Sequence, residues 1–224
     1  MWVTDQLGFA SWNDGQSTWR VDARGGEHPI SISNVELRNG RPLISMHAVD
    51  STALPQAAEQ FTRGNSWNVN YPQGGHSYAL RLALEPIETS TDLFVLEATI
   101  SLQTDLLDSH PQLDVDVDCQ SIESLVPTDL SGDDEVESQG SAPISIAKGH
   151  HPVAVLLGPY DSPFTTNHST DSLLRLRLFG DFLEKGVIRK ARPWIVFDRT
   201  GGIPDEDRLT AIWKQLCDSP LPLT

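Results

Sequence analysis

Apolar and polar residues alternate along much of this chain. Tyr78, Leu80, Leu82 and Leu84 alternate with Ala79, Arg81, Ala83 and Glu85; Phe94, Leu96, Ala98, Ile100 and Leu102 alternate with Val95, Glu97, Thr99 and Ser101. A period of two sends successive side chains to opposite faces, so both runs predict half-buried antiparallel strands. The polar stretch 86–92 between them predicts a hairpin turn. Upstream, Ile30, Ile32, Val35 and Leu37 precede Asn39-Gly40, and Leu43, Ile44, Met46, Ala48 and Val49 follow it. Asn-Gly suits a type I′ turn, whose two central residues need positive φ, and predicts a second hairpin. The alternation slips between Ile32 and Val35, which predicts a bulge at Ser33-Asn34. Trp67, Val69 and Tyr71 predict a shorter strand with Asn68 and Asn70 on its other face. Further strands are expected at 112–119, 143–147, 152–157, 172–179 and 187–198, with Glu184-Lys185-Gly186 as the hairpin turn joining the last two.

One segment has the other period. Leu209, Ile212, Trp213, Leu216 and Cys217 fall at i, i+3, i+4, i+7 and i+8, a single apolar stripe on a helix near 204–217. Pro204 suits its first turn, Asp205, Glu206 and Asp207 suit the positive end of its dipole, and Pro220 and Pro222 close it. A weaker helical segment is read at 55–62, ended by Gly64. The stretch 128–141 holds almost no apolar side chains and four close acids, and predicts a mobile acidic loop. The expected fold class is mainly β: one domain over 1–224, an antiparallel two-sheet sandwich or a strongly curved sheet, with the C-terminal helix as a plug.

Charge narrows the function classes. Lys plus Arg is 16 and Asp plus Glu is 31, a formal charge of −15. Such a chain repels phosphate backbones and anionic bilayers, so neither nucleic acid nor membrane is expected as a partner. Neither a run long enough to cross a bilayer nor a secretory signal stands in the sequence. Cys119 and Cys217 form no CxxC pair and read as free thiols, consistent with a soluble cytoplasmic protein.

Candidate chemistry is sparse. In the run 113–119, period two places Asp114, Asp116 and Asp118 on one face and Leu113, Val115, Val117 and Cys119 on the other. Same-face residues then lie about 6.7 Å apart. The three carboxylates want water, arginines across the strand (Arg175 and Arg177 alternate with Leu174, Leu176 and Leu178), or a hard cation such as Ca²⁺. The preferred reading is a solvated face, with the three aspartates as weak metal candidates. The histidines are His28, His47, His76, His110, His150, His151 and His168, and only His150-His151 are adjacent. They build no zinc signature. The sequence has no GxSxG elbow and no phosphate loop, and the Gly pairs at 25–26, 74–75 and 201–202 read as turns. Asn167-His168-Ser169 is a glycosylation sequon in a chain without an export signal. Trp194 and Trp213 read as core, and Trp2, Trp12 and Trp19 as packed beneath the sandwich rather than exposed for sugar stacking.

Arg63-Gly64-Asn65 ahead of the Trp67–Tyr71 strand resembles a segment of uncharacterised planctomycete proteins over about a dozen residues. That resemblance implies no activity, ligand or site. With no catalytic constellation, the function expected is a non-catalytic binding or interaction domain that needs no cofactor, with a protein or glycan partner. The alternative is a carbohydrate hydrolase with an Asp/Glu acid–base pair, whose members spacing alone cannot select among 31 acids.

Overall fold

A computed structural model describes residues 1–37, 41–49, 53–127 and 140–220. Its strands run, in chain order, β1 (Trp2–Val3), β2 (Phe9–Asn13), β3 (Thr18–Asp22), β4 (Gly25–Gly26), β5 (Ile30–Asn34), β6 (Ile44–Ala48) and β7 (Leu54–Gln56). Then come β8 (Glu59–Arg63), β9 (Ser66–Tyr71), β10 (Ala79–Thr89), β11 (Leu93–Gln103), β12 (Gln112–Asp118) and β13 (Ser121–Leu125). The remainder are β14 (Ile144–Lys148), β15 (Val153–Leu156), β16 (Thr166–Asn167), β17 (Leu173–Phe179), β18 (Ile188–Ala191) and β19 (Trp194–Asp198), followed by helix α1 (Glu206–Asp218). All strand pairings are antiparallel. A first sheet is ordered β1-β2-β3-β5-β6-β12-β17-β16, and a second β13-β14-β15-β19-β11-β10-β9-β8, with β18 also on β11.

Three layers follow from these faces. Ile30, Ile32, Met46, Val115, Leu174 and Leu176 of the first sheet meet Trp67, Leu80, Leu82, Leu96 and Ile100 of the second in one core. The other face of the second sheet offers Leu93, Val95, Ile144, Ala154, Trp194 and Val196, which α1 covers with Leu209, Ile212, Trp213 and Leu216. This double coverage explains why β15 and β19 read as continuous apolar runs and not as alternating ones. Asp205 caps α1 by accepting from the Arg208 N–H at 2.7 Å, with Glu206 and Asp207 in the first turn. Pro204 therefore precedes the cap instead of sitting inside the helix. No basic residue occupies the last turn of α1. Arg192, 8% exposed, takes that place and donates to the carbonyls of Leu216, Ser219 and Pro220 at 3.1, 3.2 and 2.7 Å.

The two predicted hairpins exist, with corrections. β10 and β11 are each longer than their alternating runs, because β10 continues through Pro86 and the register slips between Pro86 and Glu88. Proline donates no ladder hydrogen bond and is tolerated beside such a bulge, so the turn shrinks to 90–92. β5 and β6 pair Ile30 with Met46 and Ile32 with Ile44, while Asn39-Gly40 lies outside the described residues. No bulge interrupts β5 at Ser33-Asn34: the strand ends at Asn34, whose Oδ1 accepts from the Glu36 N–H, and Val35 is 43% exposed. The helix read at 55–62 is wrong. Those residues form β7 and β8, and β8 pairs with β9 across a turn where Gly64 has φ of +61°. Helix-favouring Ala and Gln are overridden by an available sheet edge. The 187–198 strand is split at Arg192-Pro193 into β18 and β19, which share β11 as partner. Residues 184–186 turn between the two sheets and make no hairpin, since β17 belongs to the first sheet and β18 to the second. The acidic loop falls outside the described residues over 128–139, and its end at Ser141 is pinned by N–H bonds to the carbonyls of Ser162 and Thr165. Among the described residues no helix is long and apolar enough to cross a membrane.

If α1 is part of the core, Trp213→Ala should cost about 3–5 kcal/mol, since a buried indole and its hydrogen bond to the Leu157 carbonyl (2.8 Å) are lost together. Exposed Gln215→Ala should stay within about 0.5 kcal/mol. Urea unfolding of the two variants checks the contrast.

Candidate functional site

The acidic strand does not present an open comb. β12 lies between β6 and β17, with Asp114 directly across from Arg177 and Asp116 across from Arg175. Both arginines bind bidentately. Arg177 Nε and Nη2 donate to the two Asp114 oxygens at 2.8 and 3.0 Å, and Arg175 Nε and Nη2 to those of Asp116 at 2.8 and 2.6 Å. From the other side His47 Nε2 lies 3.7 Å from Asp116. Asp114 is 2% exposed, so the expected solvated face is corrected: a central strand flanked by long side chains is roofed by them. Only Asp118 is exposed, and Val115 and Val117 are buried as expected. As the weak metal candidates, Asp114 and Asp116 are instead engaged by guanidinium groups, and among the described residues no group of three His, Cys, Asp or Glu side chains could hold an ion. The arrangement is a structural ion-pair ladder.

The loops gather at two opposite ends of the sandwich. At the first end, the turns after β2, β10 and β14 meet the ends of β5 and β19 around a groove of about 470 Å³. Trp19 forms part of its wall, stacked on Phe94 at 4.4 Å, and is 2% exposed. Arg199 lies beneath the groove with its donors turned inwards: to Asp14 through both terminal nitrogens, to Ser17 Oγ at 3.1 Å and to the Leu93 carbonyl at 3.3 Å. Burial alone would raise the Asp14 pKa, but hydrogen bonds from Arg199 and from the Gln16 and Ser17 N–H groups outweigh it and hold it below the ordinary value. Glu36 accepts from the Thr18 N–H, and Asp198 Oδ1 holds the following turn through the N–H and hydroxyl of Thr200. His150 and His151, the one adjacent pair, are exposed on the rim. The other histidines are dispersed, and His28, His110 and His168 are exposed.

The second end mixes exposed apolar side chains with the exposed charges of Asp105, Asp108, Asp181, Glu184 and Lys185. The segments 104–110 and 180–188 are fastened together by the Gly186 N–H to the Thr104 carbonyl at 2.9 Å and the Leu183 N–H to the Ser109 carbonyl at 2.8 Å. Between them Leu106, Leu107, Phe182, Val187 and Ile188 are 44, 82, 43, 44 and 41% exposed. Phe179, at the root of the second segment, has φ of +66°, a strained conformation for an aromatic residue, and Gly180 follows at +107°. Sequence periodicity missed this end because loops carry none. The signal available was apolar residues outside any alternating run.

A third feature lies beside α1. Glu85 and Glu97 face each other across β10 and β11. Glu97 Oε2 accepts from Trp194 Nε1 at 2.7 Å and stands 3.8 Å from Arg192, whereas Glu85 has no such partner among the described residues. Burial, then the Glu97 charge, raises the Glu85 pKa. All six tryptophans are buried, as expected for Trp2, Trp12, Trp19, Trp194 and Trp213, so none offers an open stacking platform. Cys119 and Cys217 are free and half-buried, and burial pushes both thiols upward.

No family model and no curated protein matches the chain. Among solved structures it is similar to a heparinase III with methylated lysines, at 9% identity and a TM-score of 0.44, over 88% of this chain. The match spans 35% of that longer protein.

Two measurements follow. Asp114→Ala removes both hydrogen bonds that Arg177 donates to the buried carboxylate and should cost about 3 kcal/mol, the low end for a broken buried pair because Arg177 keeps 21% exposure. Asp118→Ala should change stability by less than about 0.5 kcal/mol in the same denaturation series. For Glu85 the sign is opposite. A raised pKa means the folded state holds that proton more tightly, so ionised Glu85 opposes folding near neutrality and the penalty fades as pH falls towards the ordinary carboxylate range. Glu85→Gln should therefore raise the melting temperature at neutral pH, with the gain shrinking on acidification.

Proposed function

We propose that this chain is a non-catalytic interaction domain that docks a protein partner on its apolar end. The observation that carries the reading is the exposure of five large apolar side chains on two loops fastened to each other by backbone hydrogen bonds. Large apolar side chains left exposed on a fastened support, with charged residues interleaved among them, are what interaction sites offer. Magnitudes set the type of contact. Fully burying one such side chain is worth about 1.5–3 kcal/mol, so five half-exposed ones supply roughly 5 kcal/mol. Association costs about 4–15 kcal/mol, so the cap supports a transient contact and a tighter one needs a wider footprint. The same proposal places the domain in the cytoplasm, supported by the unpaired Cys119 and Cys217. A second reading, a carbohydrate hydrolase with an Asp/Glu pair, is favoured by one observation, the facing Glu85 and Glu97 with Glu85 shifted up. The commitment of Glu97 to Trp194 and Arg192 weighs against it.

The test compares the parent with Leu107→Asp/Phe182→Asp. Both side chains are exposed, so melting should be unchanged, while proteins retained from lysate by the parent should be lost by the variant. Equal retention by both would remove the apolar end as the docking site. Glycoside hydrolysis that Glu85→Gln abolishes would install the second reading.

A further inference from the structure

We infer that the groove at the end opposite the apolar cap is a binding site for a neutral polyhydroxylated ligand, a short carbohydrate chain of two or so sugar units. This inference stands apart from the docking proposal, because it concerns other loops. The groove volume, about 470 Å³, falls within the roughly 300–1,000 Å³ range of small-ligand sites. Five structural segments from both sheets build it, so its shape is set by the sandwich and not by one loop.

Charge selects the ligand class. Among the described lining residues the one cation is Arg199, which is neutralised by Asp14 and spends its other donors on Gln16, Ser17 and the Leu93 carbonyl, so that none of these residues turns a guanidinium edge to a phosphate, sulfate or carboxylate. Glu36 and Asp198 remain, and the whole chain carries −15, so anions are repelled from this end. Asp198 commits Oδ1 to its own turn, while Oδ2 accepts from no described residue. Neutral donors and acceptors make up most of the remaining polar lining, among them Gln16, Thr91, His150 and His151. Both histidines are exposed, with rings that no described residue engages. The Trp19 indole N–H is a further buried donor without a partner among the described residues. A hydroxyl both donates and accepts, so one ligand can give protons to the Glu36 and Asp198 carboxylates and receive them from imidazole and amide groups. With no open aromatic face for stacking, binding should be weak, on the order of 1 mM.

The experiment is an NMR titration of the intact chain with the neutral disaccharides cellobiose, maltose and lactose, and with glucuronate as the anionic control, each to tens of millimolar. The expected result is saturable shifts at groove residues with at least one neutral disaccharide, and tenfold weaker or absent binding of glucuronate. His150→Ala/His151→Ala should weaken that binding about tenfold without moving the melting temperature. Thr91→Arg, which obstructs the groove from the exposed β10–β11 turn, should abolish it and guards against a folding defect in the histidine variant. Three results would overturn the inference: no saturable shift with any neutral disaccharide, binding that survives both variants, or glucuronate binding as tightly as the neutral sugars.

Discussion

One half of the second sheet, β14, β15, β19 and the start of β11, is buried on both faces, and the rest of the molecule is arranged around that constraint. Along the start of β11 and along β15 and β19 one set of side chains meets the first sheet and the other meets α1. A strand buried on both sides cannot alternate, must pair all its backbone groups, and needs a cover on each face. The first sheet is one cover. The other is a helix of 13 residues, held by Asp205 at its start and by Arg192 at its end. Isolated helices of this length are marginal in water, so α1 depends on the sheet as much as the sheet depends on it.

Polar chemistry is correspondingly pushed outward or into pairs. On the outer face of the first sheet two bidentate Asp–Arg contacts let charged side chains lie flat over a central strand. Beside the helix, Arg192 satisfies carbonyls that α1 leaves open and also neighbours Glu97. Beneath the groove, Arg199 and Asp14 join β19 to the β2–β3 turn and so link the two sheets at that end. Surface free for recognition then lies at the two ends, where loops emerge: one polar and concave, the other with large apolar side chains exposed among charged ones.

How far the sequence revealed this depended on which physical signal each element carries. Leu80 to Leu84 and Ala98 to Leu102 were legible because the other face of their strands carries Arg81, Ala83, Thr99 and Ser101, none of them buried. The stripe Leu209, Ile212, Trp213 and Leu216 was legible because only a helix brings it together. Residues 55–62 misled because the partner that makes Glu59–Arg63 a strand is supplied by β9, not by local preference. Pro86 misled because a bulge accommodates it. The aspartates were placed on the correct face, and their arginine partners were named among the options, but burial of Asp114 depends on registers that spacing cannot give. The groove and the apolar cap were not legible at all. Each is assembled from loops distant in sequence, and loops have no period to read.

Hydrogen–deuterium exchange followed by mass spectrometry tests the three-layer account most directly. If the second sheet is a middle layer, amides of β11, β15 and β19 exchange slowest, and those of α1 are protected in the same cooperative unit and lose protection with them on mild destabilisation. Rapid exchange throughout 206–218 while the sheet stays protected would contradict the account, because it would show that the outer face of the second sheet is stable without its helical cover.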